Sequence, residues 1–306
     1  MVGLVHRFIK AVGSGQKRAR DLTRDEGREA MALICDGQAQ PIQVGAFLLA
    51  LRMKGEGAEE MAGFVDALSE RSTRAESPPG TLDVDCHGDG HTGRPTTLPL
   101  AAVAAARLGV PVLLRCDLDN PYAKHELRPQ LQALGVDLTR PLDAARAAES
   151  LARHRLAVLD LATYCPPLKS LVALRPLFGV RTVAQTLMKL LDPLHASARL
   201  VGVFHAPYLP STARALAALS PTRAMCVQAI GGLPEATPGK QLRVAYADAP
   251  EPSLVDLRTL PVEDPLAGAV TAAALLLHAA RAMPFEAAAA EARAALAASP
   301  VELTAI

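Results

Sequence analysis

The stretch Leu98–Leu114, LPLAAVAAARLGVPVLL, places a helix-length apolar segment directly before a strand-length run at Val110–Leu114. A short apolar run at Leu82–Asp85 precedes it, and the same alternation continues toward the carboxyl terminus. Further strand-length runs occur at Leu156–Leu161, Leu200–Phe204 and Ala224–Ala229, with helical segments at Ala144–His154 and Thr212–Leu219. Alternating strands and helices predict an α/β fold with a mainly parallel central sheet and helices on both faces.

The two ends of the chain complete this pattern. Gln241–Tyr246 and Ser253–Leu257 predict a hairpin, and two Ala-rich segments predict closing helices at Leu266–Ala282 and Phe285–Ala298. The first 75 residues carry only helical signals, including a capping box formed by Thr23 and Glu26. We therefore expect a small all-helical N-terminal domain at 1–75, a Pro- and Gly-containing linker at 71–82, and a larger α/β domain at 80–306.

Composition limits the function classes. The chain is 50% hydrophobic and 21% charged, with a formal net charge of +1, so it can bury a core and is not disordered. Aromatic residues make up only 3% and Trp is missing, which argues against a nucleic-acid reader that stacks bases on rings. The five Cys form no C-x-x-C pair, which indicates free thiols in a reducing cytoplasm. We expect no signal peptide and no membrane span.

One interval has a one-sided charge. Between Asp160 and Asp192 there is no Asp or Glu, and the full charges are Lys169, Arg175, Arg181 and Lys189. Arg181, Gln185 and Lys189 follow at i, i+4 and i+8, a spacing that puts two cations and an amide on one helix face. The pattern fits an anion-facing helix pair, and it equally fits two amphipathic helices with solvated outer faces.

Polar residues follow the first two strands. His87-Gly88-Asp89-Gly90 can present backbone amides to a phosphate or form an ordinary turn. Asp117, Asp119 and Asn120 can line a cleft or form an Asx turn. Cys86, His87 and His91 lack a recognisable fourth ligand, so we predict no metal site.

The sequence also resembles a known superfamily. The segments LTRDEGREAM, GAFLLALRMKGEGAEEMAGF and GVRTVAQTLMKLLDPL are similar to anthranilate phosphoribosyltransferase and the nucleoside phosphorylases, glycosyltransferase family 3. The resemblance implies a cleft between the helical and α/β domains. It also implies that helices from about 165–195 line this cleft and join the helical domain in space.

Several departures from the family pattern bear on activity. The diphosphate loop GTGGDG corresponds here to a turn through Cys86-His87-Gly88-Asp89-Gly90, and the NxST segment to Arg94-Pro95-Thr96-Thr97-Leu98-Pro99. The KHGNRS segment corresponds to Leu114–Asp119, which adds two acids. The metal-binding Asp-Glu pair corresponds to Pro234-Glu235, and one carboxylate is a poor magnesium site. By this comparison the phosphoribosyl site has lost most of its parts.

The loss of these motifs is similar to the YbiB-type branch, whose members bind nucleic acid as homodimers. Short matches to that branch lie at Gly15–Asp25, Arg52–Gly57 and Cys165–Leu168. The resemblance implies a non-enzymatic, sequence-tolerant binder of single- or double-stranded DNA or RNA, dimeric through the helical domain and without a cofactor. The predicted contacts are Lys169, Arg175, Arg181, Gln185, Lys189, Arg71 and Arg74, with Lys17, Arg18 and Arg20 as possible additions.

Two alternatives remain open. In the first, the chain is an active phosphoribosyltransferase with a remodelled site at His87, Gly88, Asp89, Gly90 and Glu235, which would use magnesium. In the second, it is a nucleotide or RNA-end sensor that binds without chemistry.

Overall fold

The computed structural model describes residues 5–15, 17–88, 95–123, 127–219, 223–261 and 267–297. The N-terminal helices are α1 His6–Gly13, α2 Arg24–Cys35, α3 Pro41–Lys54 and α4 Ala58–Ser69. The strands are β1 Leu82–Asp85, β2 Val112–Cys116, β3 Leu156–Asp160, β4 Ala198–Val203, β5 Arg223–Gln228, β6 Gln241–Tyr246 and β7 Ser253–Arg258. The remaining helices are α5 Leu98–Arg107, α6 Leu127–Ala133, α7 Ala144–His154, α8 Leu161–Tyr164, α9 Pro166–Val172, α10 Arg175–Phe178, α11 Val183–Leu190, α12 Leu209–Leu219, α13 Ala267–Arg281 and α14 Phe285–Ala297. Short 3₁₀ turns occupy Ala206–Tyr208 and Ile230–Gly232.

The N-terminal helices begin and end where their residues predict. Thr23 and Glu26 form the expected capping box at α2, which satisfies two backbone amides that a helix start otherwise leaves unpaired. Gly37 and Gly55 follow α2 and α3 with positive φ angles of 69° and 88°, a region that glycine enters without steric cost. Gly63 lets α2 and α4 cross closely, since a Cβ there would lie 2.0 Å from the Arg24 carbonyl oxygen.

The predicted sheet is confirmed, with strand order β3-β2-β1-β4-β5-β6-β7. The five strands β1 to β5 pair in parallel, and β6 and β7 add the predicted antiparallel hairpin. The chain runs outward from β1 through β2 to β3 and then returns to β4 on the other side of β1. In such sheets ligands bind at the carboxyl ends of the two strands where the order reverses, which here are β1 and β4.

Each face of the sheet has its own apolar core. One core contains α5, α13 and α14 packed on the sheet. The other joins α1 to α4 with α8, α9, α11 and α12. α11 contacts both α3 and α4. Backbone amides of Thr73, Ala75 and Ser77 in the linker donate to the carbonyls of Tyr164, Pro193 and Leu194.

Three local predictions need correction. The spacing of Leu168, Leu171, Val172 and Arg175 at i, i+3, i+4 and i+7 predicts a single helix. In the structure α9 ends at Val172, and Arg175 opens the separate turn α10. β2 begins at Val112 and not at Val110, since Pro111 has no amide to give to the ladder. The sequence pattern does not predict α6, because Pro129 and the polar residues around it interrupt the apolar spacing that is typical of a helix.

None of the helices in the described ranges combines the length and apolar character that a bilayer crossing requires.

Candidate functional site: the crevice at β1 and β4

Asp85 is the last residue of β1, and its side chain is fully buried. Its Oδ1 accepts hydrogen bonds from His87 N at 3.0 Å and His87 Nδ1 at 2.8 Å, and its Oδ2 lies 2.6 Å from Lys189 Nζ. Burial by itself would raise the pKa of Asp85, but the Lys189 charge and the His87 hydrogen bond outweigh it and hold that pKa well below its usual range. Asp85 is therefore an ionised carboxylate at the sheet's switch point.

Two buried arginines, Arg115 and Arg199, connect Asp83 of β1 to the end of α11. Arg115 Nε donates to both oxygens of Asp83 at 2.8 and 2.9 Å, and its Nη1 donates to the Met188 carbonyl at 2.6 Å. Arg199 approaches Asp83 Oδ2 at 3.3 Å and donates to the Leu191 carbonyl at 2.6 Å. Burial lowers the pKa of Arg115, and the Asp83 charge reverses this and raises it. Cations here satisfy the carbonyls that end α11.

The structure describes two residues of the predicted phosphate turn, His87 and Gly88. His87 is buried beside Asp85, and Gly88 packs against the 231–233 turn so closely that a Cβ would lie 2.3 Å from Leu233 Cγ. Asp89 and Gly90 lie outside the described residues. Glu235 is buried, and its Oε1 accepts from Thr96 Oγ1 at 2.8 Å, Thr97 N at 2.5 Å and Thr97 Oγ1 at 2.8 Å. Glu235 thus caps the N-terminus of α5.

These residues do not fit a magnesium–diphosphate site. Pro234 stands beside Glu235 where a second carboxylate would be needed, and Asp85 is already paired with Lys189. Within the described ranges, no group of three or more His, Cys, Asp or Glu could hold a metal ion.

Three of the predicted cations pair with acids elsewhere in the chain. Lys169 pairs with Asp117, Lys189 pairs with Asp85, and Arg71 binds both oxygens of Asp36 at 2.7 and 2.6 Å. The acid-free interval is therefore not a bare positive surface, because carboxylates from outside it approach Lys169 and Lys189. A role for these side chains in nucleic-acid binding stays a prediction.

The other predicted contacts have different surroundings. Arg74 Nη2 lies 2.7 Å from His195 Nε2, and the Arg175 guanidinium lies 3.6 Å above the ring of Tyr122. Arg20 pairs with Glu26 at 2.6 Å. Lys17 and Arg18 are exposed. In the segment after β2, Asn120 Oδ1 accepts from Tyr122 N at 3.0 Å, which makes it the Asx turn.

An open cleft of about 870 Å³ lies beside the crevice, between α11, the α3–α4 connection and the end of β4. We call it the α11 cleft. Its polar and aromatic lining includes Arg52, Glu56, Arg181, Gln185, Lys189, Phe204, His205 and Tyr208. Arg52 Nη1 donates to the Tyr208 hydroxyl at 3.0 Å. Burial raises the pKa of Glu56 above its ordinary value.

Sequence reasoning placed Arg181, Gln185 and Lys189 at this cleft and missed Arg52, Phe204, His205 and Tyr208. A usable signal was present, since Phe204–Tyr208 directly follows β4 and residues after the carboxyl ends of parallel strands line ligand crevices.

Comparison with known proteins supplies the family. Residues 6–72 match the glycosyl transferase family helical bundle domain, and residues 81–267 match the glycosyl transferase family a/b domain. The chain belongs to glycosyl transferase family 3. The predicted resemblance and fold class are confirmed.

Two relatives of the chain illustrate the range of the family, since one is named as an enzyme and the other is uncharacterized. Anthranilate phosphoribosyltransferase of Methylobacterium nodulans is 36% identical over 225 residues, which cover 71% of this chain and 63% of the relative. The uncharacterized protein YbiB of Escherichia coli is 30% identical over 213 residues, which cover 68% of this chain and 65% of YbiB. The matched part therefore spans less than two thirds of the length of these relatives.

Solved family 3 structures match more completely. Anthranilate phosphoribosyltransferase of Thermus thermophilus superposes with a TM-score of 0.78 at 25% identity, covering 96% of this chain and 94% of that chain. The Saccharomyces cerevisiae enzyme in complex with PRPP and Mg superposes with a TM-score of 0.79 at 17% identity, covering 96% and 93%. The second likeness shows the fold alone.

Proposed function

We propose that this protein is a non-enzymatic, sequence-tolerant nucleic-acid-binding protein that uses the α11 cleft of a phosphoribosyltransferase-like fold. The Asp85–Lys189 ion pair carries this proposal. By the family resemblance, the turn after β1 holds the diphosphate in the enzymes. Here that turn begins with a buried, ionised carboxylate that is paired with Lys189, so the pair offers a diphosphate no net positive charge.

Glu235 supports the same conclusion. Its carboxylate oxygen receives three hydrogen bonds from Thr96 and Thr97, so it acts as a cap for α5. Using it to hold magnesium would cost these bonds, and Pro234 supplies no second carboxylate.

The charge on the cleft favours a polyanion. Arg52 and Arg181 line it together with one acid, Glu56, so the cations outnumber the acid among the lining residues. Each cation that meets a phosphate releases a condensed counterion, which gives affinity with little sequence preference.

Dimerisation through the helical domain is part of the proposal. Ile42, Leu49 and Met53 are exposed along one stripe of α3, and Leu177 is exposed in α10. Phe178 of α10 lies against Gly45 of α3. The exposed apolar side chains therefore belong to neighbouring helices, and we propose that they act as one apolar patch. Burying such a patch against a second copy removes it from water. Sedimentation of Met53→Glu should show a monomer where the parent protein is a dimer; an unchanged sedimentation coefficient would remove this patch from the interface.

Salt-dependent binding tests the function. Fluorescence anisotropy measures the association constant for a labelled 20-nucleotide strand. We expect its logarithm to fall linearly with the logarithm of the salt concentration, with a slope of about −0.7 for each phosphate that the protein contacts. Arg52→Glu/Arg181→Glu should weaken binding to all sequences about tenfold or more. Arg146→Glu/Arg153→Glu on α7 changes the net charge equally without touching the cleft and should have little effect. Affinity that is independent of salt, or equal losses in both double variants, would contradict the proposal.

The second candidate is phosphoribosyl transfer, the activity that the names of several relatives carry. It predicts consumption of phosphoribosyl diphosphate with magnesium and an acceptor such as anthranilate, abolished by Asp89→Asn or Glu235→Gln in folded protein. Turnover that survives both substitutions would indicate a contaminating enzyme, and absence of turnover would favour the binding function.

A further inference from the structure

Three rings gather at one wall of the α11 cleft. Phe204 and Tyr208 are 44% and 41% exposed. The Phe204 and His205 ring centroids are 4.5 Å apart, and those of His205 and Tyr208 are 6.4 Å apart. Phe and Tyr together make up only 3% of the chain, and two of them stand here with His205 within five positions at a strand's carboxyl end. The ring planes are inclined by 69° and 53°, so each exposed ring can offer its own face for stacking.

A buried amide faces the same cleft. Gln185 is 7% exposed and lines the cleft, and its Nε2 has no hydrogen-bond partner within the described residues. The orientation of this amide is fixed, because its Oε1 accepts the Thr182 backbone N–H at 2.7 Å in the cap of α11. Buried donors are nearly always satisfied in folded proteins, so an unpaired one points to a ligand acceptor.

Cations stand beside the rings and the amide. Arg52 holds the Tyr208 hydroxyl at 3.0 Å and thereby fixes that ring, and Arg181 lies on the cleft next to Gln185. The cleft thus combines a stacking surface, a fixed hydrogen-bond donor and guanidinium groups.

We infer that the α11 cleft takes one unstacked nucleobase of a single-stranded nucleic acid. The base stacks on one of the exposed rings, Phe204 or Tyr208, an edge carbonyl or ring nitrogen accepts from Gln185 Nε2, and a neighbouring phosphate meets Arg52 or Arg181. This rests on the proposed nucleic-acid binding and deepens it. Bases in a duplex are stacked and paired, so the subsite selects single strands, loops or ends.

A strand carrying one 2-aminopurine tests the subsite. Stacking on the rings should quench its fluorescence when the unaltered protein binds the single strand, and the matching duplex should bind without quenching. An oligonucleotide of equal length and phosphate count with abasic sites should bind the unaltered protein about tenfold more weakly or worse. This arm requires no protein variant.

Ring removal is the second arm. Phe204→Leu/Tyr208→Leu keeps apolar volume and should weaken single-strand binding about tenfold and remove the 2-aminopurine quenching, while duplex binding weakens much less because a duplex keeps its bases stacked. Leu254→Ala/Val255→Ala removes two exposed apolar side chains from β7 and serves as the control. If single strand, abasic strand and duplex bind the unaltered protein equally and without quenching, the subsite is refuted and the proposed function stands. If none of them binds, both are refuted.

Discussion

Lys189 Nζ lies 2.6 Å from Asp85 Oδ2, so that a residue near the end of α11 is tied to the last residue of β1. The lysine side chain is 15% exposed and the aspartate side chain is fully buried. Lys189 also donates to the Gly232 carbonyl at 2.9 Å. Lys189, which the sequence places on an outward helix face, therefore connects α11, β1 and the Ile230–Gly232 turn.

Lys189→Met should be strongly destabilising. It leaves the Asp85 carboxylate buried without its cation, and removing one partner of a buried pair costs about 3–5 kcal/mol. Urea unfolding at pH 7 measures this loss. Adding Asp85→Asn to the same protein should restore part of it, because the second substitution removes the unpaired charge. A single variant within about 1 kcal/mol of the parent would mean that the pair is solvated.

Gly63→Ala should disrupt the crossing of α2 and α4. The new Cβ would lie 2.0 Å from the Arg24 carbonyl and 2.8 Å from the Arg28 amide, both of which are backbone atoms that cannot move without shifting a helix. We expect a loss of about 3 kcal/mol or more in the free energy of unfolding. Gly268→Ala in α13 is the matched control, since its Cβ meets only Thr97 Cγ2 at 3.7 Å. The control should be neutral or stabilising by up to about 1 kcal/mol.

Glu26 should make stability depend on acid pH. Hydrogen bonds from Arg20 and from the Thr23 amide lower the pKa of Glu26 from its ordinary value of 4.5 to about 2. A lowered folded-state pKa contributes stability above the unfolded pKa, and this contribution is lost as the pH falls through 4.5 toward 2. Glu26→Gln should therefore be less stable than the parent at pH 7, with the difference shrinking to near zero at about pH 2.

Thr23→Ala provides the contrast for that profile. It removes the cap hydroxyl and should cost about 1 kcal/mol across the whole pH range, because no ionisable group is lost. A Glu26→Gln deficit that stays constant with pH would contradict the assigned role of the carboxylate.

The five cysteines should be unreactive in the folded protein. All five are free thiols, and four of them are buried. Burial raises the pKa of Cys35, the most accessible of them, to about 12, so on the order of one molecule in ten thousand carries its thiolate at pH 8. An aromatic disulfide reagent should label less than one thiol per chain in an hour under native conditions and all five in guanidinium chloride. Rapid native labelling that Cys35→Ser abolishes would show that this site opens.

Local signals in the sequence determined most of the fold. β1 and α7 begin and end where predicted, because apolar runs of strand length and a capped amphipathic segment reflect short-range preferences. The contacts of the site depend on long-range pairing, which spacing does not record. Asp85 and Lys189 are separated by 104 positions, and the separation of Asp117 and Lys169 is 52. Gln185 lies on the same predicted helix face as Arg181 and Lys189 and lines the α11 cleft. Its side chain is nevertheless buried, because its Oε1 accepts the Thr182 amide in the cap of α11.

The layer formed by α1 to α4 is completed by α8 to α11, which lie far along the chain. At about 5–20 residues per second, a ribosome needs on the order of ten seconds to make the segment between α4 and α11. During that time Phe47, Phe64 and Leu68, which are buried in the finished protein, have no α11 to cover them. The N-terminal helices therefore emerge as an incomplete unit that must wait for its partner, a stage at which chaperones or a second nascent chain could engage it.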